Sequence, residues 1–223
     1  MTGIGLDDVI ALHLADCTFP PQHPLAGDRG VVYGFAVRHP AGVFLFDTGI
    51  GTGNAWIDEH YRPSVRPIDD ALREHGLAAS DVVAVANSHL HFDHAGQNAR
   101  FTGVPTYVQR TEHLAARADG YTVPEWVDFP GARYEMIDGD AEPLPGIRLL
   151  ATPGHTRGHQ SAVVATAAGA VILAGQAVYS VREWRGESAA AEQSPRAAAS
   201  AKRLKSLGAR RVFFGHDDDA WDA

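Results

Sequence analysis

Cysteine occurs once in the 223 residues, at Cys17, so the chain holds no internal disulfide framework and has too few sulfurs for zinc-thiolate chemistry. That lone thiol reads as a small buried hydrophobe. Lysine is almost missing: 2 lysines stand against 17 arginines, beside abundant alanine and glycine, which marks a compositional bias of the genome and defines no functional patch. The formal charge of -8 lacks the basic excess that broad nucleic-acid binding needs. No segment reaches the roughly 18 apolar residues that span a bilayer. The stretch from Met1 to Ala11 carries Asp7 and Asp8, no Lys or Arg and no long apolar run, so it does not read as a secretory signal. The expectation is a soluble, cytoplasmic protein with a small-molecule partner, no nucleic acid and no membrane. No Gly/Ser-rich or charged tract divides the chain, and 45% hydrophobic residues suffice for a sizeable core, so residues 1–223 are read as a single domain.

What the chain has in quantity is histidine, 12 in all. Single histidines are common in loops and most bind nothing. Between Ser88 and Gly96, however, the sequence reads Ser-His-Leu-His-Phe-Asp-His-Ala-Gly, packing His89, His91, Asp93 and His94 into six residues. Imidazole nitrogen and carboxylate oxygen are donors that borderline divalent ions accept, and one loop can present several of them without ordering distant parts of the chain. Two further segments follow: Thr152-Pro153-Gly154-His155-Thr156-Arg157-Gly158-His159 and Val212-Phe213-Phe214-Gly215-His216-Asp217. His155 and His216 each follow a short apolar run and a glycine, the signature of a side chain presented where a strand runs out into a loop.

Together the three segments resemble the metallo-β-lactamase superfamily, whose signature is His-x-His-x-Asp-His followed by two distant histidines. The likeness runs from Phe46-Asp47-Thr48-Gly49 to Gly215-His216. Within it the wording is most similar to the N-acyl homoserine lactonases, which also carry an active-site tyrosine where Tyr179 stands. Hydrolases of thioesters, sulfate esters and phosphodiesters share the first motif. The resemblance implies an α+β fold, a four-layer αβ/βα sandwich with metals at one edge between the sheets. It implies one zinc site from His89, His91 and His155 with a position open for water, and a second from Asp93, His94 and His216. Zinc is the expected ion, one or two per chain, although iron, manganese and cobalt accept the same donors.

One position departs from that pattern. Where the family has an aspartate bridging two metals, this chain reads Ala174-Gly175-Gln176-Ala177-Val178-Tyr179, so Gln176 stands at the bridging place. A glutamine offers a neutral oxygen on a longer stem and removes the charge that screens two dications about 3.5–4 Å apart, so the second metal is expected to be held less tightly.

The activity implied is opening of a lactone ring, an N-acyl homoserine lactone first of all, by hydroxide from metal-bound water. Tyr179 would donate to the oxyanion and Asp93 would carry the proton to the leaving alkoxide. The alternatives are a related hydrolase of a thioester, a sulfate ester or another lactone, and a one-metal binding protein that has lost hydrolysis through Gln176. Asp47 is read as a group ordering the metal loop or as a turn cap, and His159 as a structural neighbour of the ligands. His13, His23, His39, His60, His75 and His113 are left as surface or core residues, and Asp217, Asp218 and Asp219 as a solvated acidic tail. Phe19, Trp126, Phe129 and Trp184 are candidates to line an acyl groove. The segment from Ser180 to Gln193 is read as a lid or a homodimer contact.

Local patterns predict strands over Val31 to Val37 and Val43 to Phe46 joined at Pro40-Ala41-Gly42, and a strand Val82 to Ala86 delivering the first motif. A helix is expected from Ile68, with Ile68, Ala71, Leu72 and His75 on one face and Gly76 as its stop. A strand Val104 to Val108 precedes a helix from Thr111 toward Ala118. A second hairpin is expected from Ser161 to Thr166 and Ala170 to Ala174. Ser194-Pro195 opens a last helix that Gly208 closes, followed by a strand Arg211 to Phe214. Strands in hairpins as well as between helices suit two face-to-face sheets with helices outside.

Overall fold

Valine, leucine, isoleucine and phenylalanine run almost unbroken through Gly42–Phe46, Val82–Ala86 and Gly169–Leu173, the mark of strands covered on both faces. In the computed structural model, which describes residues 3–23, 25–191 and 193–223, these segments lie inside two stacked sheets. The first is built from β1 (Val9–Thr18), β2 (Arg29–His39), β3 (Gly42–Phe46), β4 (Ser64–Val65), β5 (Val82–Ala86), β6 (Pro105–Gln109) and β7 (Arg133–Ile137), in the order β4-β1-β2-β3-β5-β6-β7. The second takes β8 (Ala141–Leu144), β9 (Ile147–Ala151), β10 (Gln160–Thr166), β11 (Gly169–Leu173), β12 (Arg211–Phe213) and β13 (Trp221–Asp222), in the order β13-β12-β11-β10-β9-β8. The chain completes one sheet before it begins the other. β1, β2 and β3 pair antiparallel, then β3, β5, β6 and β7 run parallel. β8 to β11 are antiparallel, and β12 joins β11 in parallel.

Among the described residues, seven helices connect the strands: α1 (Ala55–Tyr61), α2 (Ile68–Glu74), α3 (Phe92–Ala95), α4 (Arg110–Ala115), α5 (Pro124–Val127), α6 (Val181–Arg185) and α7 (Pro195–Lys205). Alternation along each strand sorts the core into layers. Phe35, Val37, Phe44 and Phe46 from the first sheet meet Leu149, Ala162, Val164 and Leu173 from the second. On the outer face of the first sheet, Ile10, Leu12, Val43 and Leu45 take Ile68, Ala71 and Leu72 of α2. On the outer face of the second, Val163, Ile172 and Val212 take Trp184 of α6 and Leu204 of α7. This is the four-layer αβ/βα sandwich that the resemblance implies.

Expected boundaries for β2, β3, β5, β6, β10, β11, α2 and α7 agree with the structure within a few residues. Ser194 caps α7 as its side chain accepts from Ala197 N. Other readings are corrected. His75 lies past the end of α2 and is exposed, because the helix stops at Glu74. β1, one of the longest strands, lies largely outside the segments that local patterns single out: its residues are buried on both faces and so show no clean alternation. Of the segment from Ser180 to Gln193, residues 181–185 form α6 with Trp184 turned into the outer core, and Glu192 is outside the described residues, as are Met1 and Thr2 of the N-terminal stretch. The acidic run is tied down instead of loose: Asp217 Oδ2 accepts from Val181 N at 2.8 Å, and Asp218 accepts from Arg29 and from the Tyr33 hydroxyl, both at 2.9 Å. Among the described residues no helix is long and apolar enough to cross a membrane.

Phe44 is fully buried between the sheets. Phe44→Ala is expected to lower the unfolding free energy by about 3–5 kcal/mol in urea denaturation, and a loss below about 1 kcal/mol would contradict the central position of the inter-sheet layer.

Candidate metal centre

The sequence motifs converge because they all leave the sheets at the same edge. Asp47 follows β3, the His89 to His94 run follows β5, His155 follows β9, Gln176 and Tyr179 follow β11, and His216 follows β12. Those five strands point the same way, so their C-terminal ends gather at one rim. Backbone bonds lock the loops across the two sheets: Gln160 N donates to Ser88 O at 2.8 Å and Tyr33 N to Gly215 O at 2.9 Å.

Six donor atoms form two triangles. In one, His89 Nε2 lies 3.0 Å from His91 Nδ1, which lies 3.1 Å from His155 Nε2. In the other, His94 Nε2 and His216 Nε2 are 3.2 Å apart and each is 3.6 Å from Asp93 Oδ2. A tetrahedral ion with bonds of 2.0–2.1 Å needs donors about 3.3 Å from one another, which matches the spacings of 3.0–3.6 Å here, and the donors of His89, His91 and His155 all lie within 4.8 Å of one another. The donors fit a divalent ion, and His89, with Asp93 and His94, also falls within reach of a common position.

Each triangle is held from behind. His94 Nδ1 bonds Asp47 Oδ2 at 2.9 Å, and Asp47 Oδ1 accepts from Ser88 N at 2.6 Å. Asp47 is fully buried and adopts φ +62, a left-handed backbone that aims both oxygens inward. His216 Nδ1 bonds Val31 O at 2.8 Å, His89 Nδ1 meets Ser88 Oγ at 3.0 Å, and His155 Nδ1 meets the Tyr179 hydroxyl at 2.9 Å. Such partners fix tautomer and ring orientation, leaving the other nitrogen to the cluster. His159 is not part of either triangle. Its Nδ1 bonds Thr152 O at 3.1 Å and its Nε2 accepts from Gln176 N at 2.9 Å, so both nitrogens are occupied in holding the Gln176 backbone. Gly175 beside it has φ +58, and a Cβ there would sit 2.7 Å from His159 Nε2.

Two buried groups that sequence reasoning missed complete the frame. Glu112 on α4 accepts from Leu90 N at 3.0 Å, from Thr156 Oγ1 at 2.7 Å and from the Tyr121 hydroxyl. It thereby ties the loop of His89 and His91 to the loop of His155. Gln160 spans the sheets, donating to Asn87 O at 2.8 Å and accepting from Gln109 Nε2 at 3.0 Å. Gln160 directly follows His159 at the end of the second histidine segment, whereas Glu112 lies between Thr111 and His113, where nothing in the local sequence marks it out.

Comparison with known proteins gives this geometry a lineage. The sequence profile of the metallo-beta-lactamase superfamily matches residues 27–216. The chain belongs to that superfamily. It is 41% identical over 155 residues to the N-acyl homoserine lactonase AiiA of Bacillus thuringiensis subsp. kurstaki, a stretch covering 67% of this chain and 62% of that one. The aligned part therefore spans less than two thirds of the Bacillus relative. N-acyl homoserine lactonase AttM of Azorhizobium caulinodans is 29% identical over 215 residues, with 84% of this chain and 82% of that one covered. A crystal structure of a B. thuringiensis AiiA variant with N-decanoyl-L-homoserine at its active site superposes with a TM-score of 0.81 at 30% identity, covering 98% of this chain and 95% of that one. A structure of N-acyl homoserine lactone hydrolase, with N-hexanoyl-L-homoserine at its catalytic metal centre, gives the same TM-score, identity and coverage.

Within the superfamily site, Gln176 is buried at 7% exposure and its Oε1 accepts no hydrogen bond from the described residues. A cavity of about 490 Å³ opens onto the cluster, lined by His91, Asp93, His155, Gln176, Tyr179 and His216 and walled by Val31, Val32, Tyr61 and Phe92. Of the four aromatic residues expected at an acyl groove, Phe19 is in its wall; Trp126, Phe129 and Trp184 are not. His23, left as an ordinary histidine by the sequence reading, stacks on Phe19 at 4.2 Å and also lines the cavity. Cys17 is buried beside them, and burial pushes its thiol up to about 11, as an inert packing group requires.

The cluster polarises its own members. Burial pushes His91 and His216 down to about 4 against the pull of Asp93, and burial holds His89 and His159 well below the usual histidine range. Burial would depress His94 too, but Asp93 and Asp47 outweigh it and lift that ring to about 9. Between pH 6.5 and 4 the unfolded chain binds more protons at His91 and His216 than the folded chain, so stability falls as pH drops through that window. For His94 the folded state binds more, so its contribution is complete below pH 6.5 and is lost as pH rises through about 9. Thermal melts of the metal-free protein should therefore show a falling Tm from pH 6.5 to 4; a flat Tm there contradicts the assignment. Glu112→Ala, which leaves three donors unpaired, is expected to cost roughly 3 kcal/mol in urea unfolding, and a neutral effect would remove Glu112 from the frame.

Proposed function

We propose that this chain hydrolyses lactone rings, with N-acyl homoserine lactones as the first substrate class, at a centre where His89, His91 and His155 hold one divalent ion and Asp93, His94 and His216 hold another. The observation that carries the reading is the pair of donor triangles, five of whose edges measure 3.0–3.6 Å, at the mouth of a cavity that is polar at the cluster and apolar along its wall. The named activities of AiiA and AttM support the choice of a lactone over a thioester or sulfate ester. Divalent ions at these donors supply an activated water near neutral pH and polarise an ester carbonyl.

The side chains divide the remaining work. Asp93 is kept in its carboxylate form by His94, His216 and His91, which outweigh its burial, and it reaches the cavity. It accepts the proton of the attacking water and returns it to the alkoxide released when the ring opens. His155 Nδ1–H donates to the Tyr179 oxygen, which leaves the phenol O–H to act as a donor towards the carbonyl oxygen as charge develops there. Val31, Val32, Tyr61 and Phe92 form an apolar wall suited to an acyl chain. Asp47 and His159 touch no substrate; they hold His94 and the Gln176 backbone in place.

Ring opening, followed as proton release on short-chain and long-chain N-acyl homoserine lactones, tests the assignment. Tyr179→Phe is expected to lower kcat about 100-fold with a smaller change in KM. His91→Ala should abolish turnover. Equal rates for either variant and the unmodified protein would overturn the roles of these two side chains, and faster turnover of a matched thioester would move the substrate class.

A further inference from the structure

Away from the histidine cluster the cavity wall is largely apolar, so each polar side chain in it needs an account. Arg29 is committed to Asp16 at 2.7 Å and to Asp218 at 2.9 Å. Glu183 Oε2 accepts from Tyr179 N at 3.0 Å, and Ser180 Oγ accepts from Glu183 N at 3.2 Å. His23 is different. Its Nδ1 accepts from Leu25 N at 3.1 Å, so the neutral ring carries its proton on Nε2. That Nε2–H has no hydrogen-bond partner among the described residues and is not buried, on a ring that lines the cavity.

The ring is held in place. It stacks on Phe19 with centroids 4.2 Å apart and planes 9° from parallel. The loop that carries both rings is closed by its own backbone: Phe19 N donates to Asp28 O at 3.1 Å, Gly27 N to Phe19 O at 3.0 Å and His23 N to Pro20 O at 2.9 Å. From there the wall continues to the cluster. A Cβ on Gly30 would come 3.0 Å from Phe19 Cζ, so the Phe19 ring lies directly on that position of β2. The next residue is Val31, whose carbonyl accepts from His216 Nδ1 at 2.8 Å. Neighbouring residues of a strand are about 3.3 Å apart, so a short acyl arm laid along this wall from the cluster passes the His23 ring. A plain alkyl chain there would displace water from the N–H and offer nothing in return, whereas a chain bearing an acceptor would satisfy it.

We infer that His23 is a specificity-determining residue of this site, its Nε2–H donating to an oxygen on the acyl arm, so that lactones with an oxo-substituted acyl chain are preferred to plain alkanoyl ones. The inference names a substrate subclass for the lactonase reading above and rests on it. An oxo group only accepts, which matches a group that only donates. A hydroxyl, which must also place its own proton, ranks between the oxo group and a methylene.

The test compares kcat/KM for N-(3-oxohexanoyl) and N-hexanoyl homoserine lactone on zinc-loaded protein. The oxo compound is expected to be favoured by about 3–10-fold, the worth of one neutral hydrogen bond that is partly open to water. His23→Phe keeps the aromatic stack and removes the donor, and should bring the ratio close to 1. His23→Gln restores an N–H and should recover part of the preference. Both lactones are measured on the same preparation, so any loss of folded protein cancels from the ratio. A ratio near 1 in the unmodified protein, a preference that survives His23→Phe, or one abolished by Ser188→Ala on the same cavity wall and not by His23→Phe would each overturn the assignment. Absence of ring opening on both compounds would overturn the lactone reading and this inference with it. Fast opening of both at equal rates would leave that reading standing and remove only the role of His23.

Discussion

Asp47 bonds His94 at 2.9 Å and Ser88 N at 2.6 Å from a fully buried, left-handed position, and the placement of the whole histidine loop depends on that pair. A non-glycine residue held at φ +62 stores strain of about 1–3 kcal/mol, which persists only where its surroundings over-determine it. At Asp47 they do. Its N donates to Ala86 O, Thr48 N donates to His94 O, and Asn87 and Asn98 close a polar ring around the same carbonyl. The carboxylate thus orients His94, anchors the start of the histidine loop and places negative charge beside the cluster.

Glu112 does for the three-histidine side what Asp47 does for the other. Its two oxygens take one backbone donor beside His89 and His91 and one hydroxyl beside His155, so two loops from different sheets share one anchor. The candidate centre is therefore a set of strand ends braced by two buried carboxylates, with the candidate ligands carried on short loops. This arrangement explains how a four-residue helix such as α3 can present Asp93 and His94 in fixed positions although so short a helix has little stability of its own.

The candidate ligands were legible in the sequence because their spacing is local: four of the six lie in one run, and His155 and His216 each announce themselves after an apolar strand and a glycine. Hairpins with turn signals and the capped helix α7 were legible for the same reason. What was hidden depends on distant partners. Glu112 meets Leu90, Thr156 and Tyr121 across separations of 22, 44 and 9 residues, and no short window contains that pattern. β1 is buried on both sides, which erases the alternation a window looks for, and the acidic residues after His216 look solvated until Arg29, Tyr33 and the start of α6 are brought to them.

The central claim is that this rim of histidines and carboxylate is a metal-dependent site for opening lactone rings. Its most direct test is to strip the protein with a chelator and follow proton release from N-hexanoyl and N-decanoyl homoserine lactones before and after zinc is restored. The account predicts no turnover without metal and recovery with it. Ring opening that persists undiminished in the stripped protein, or a folded, zinc-loaded protein that opens neither lactone, would contradict it.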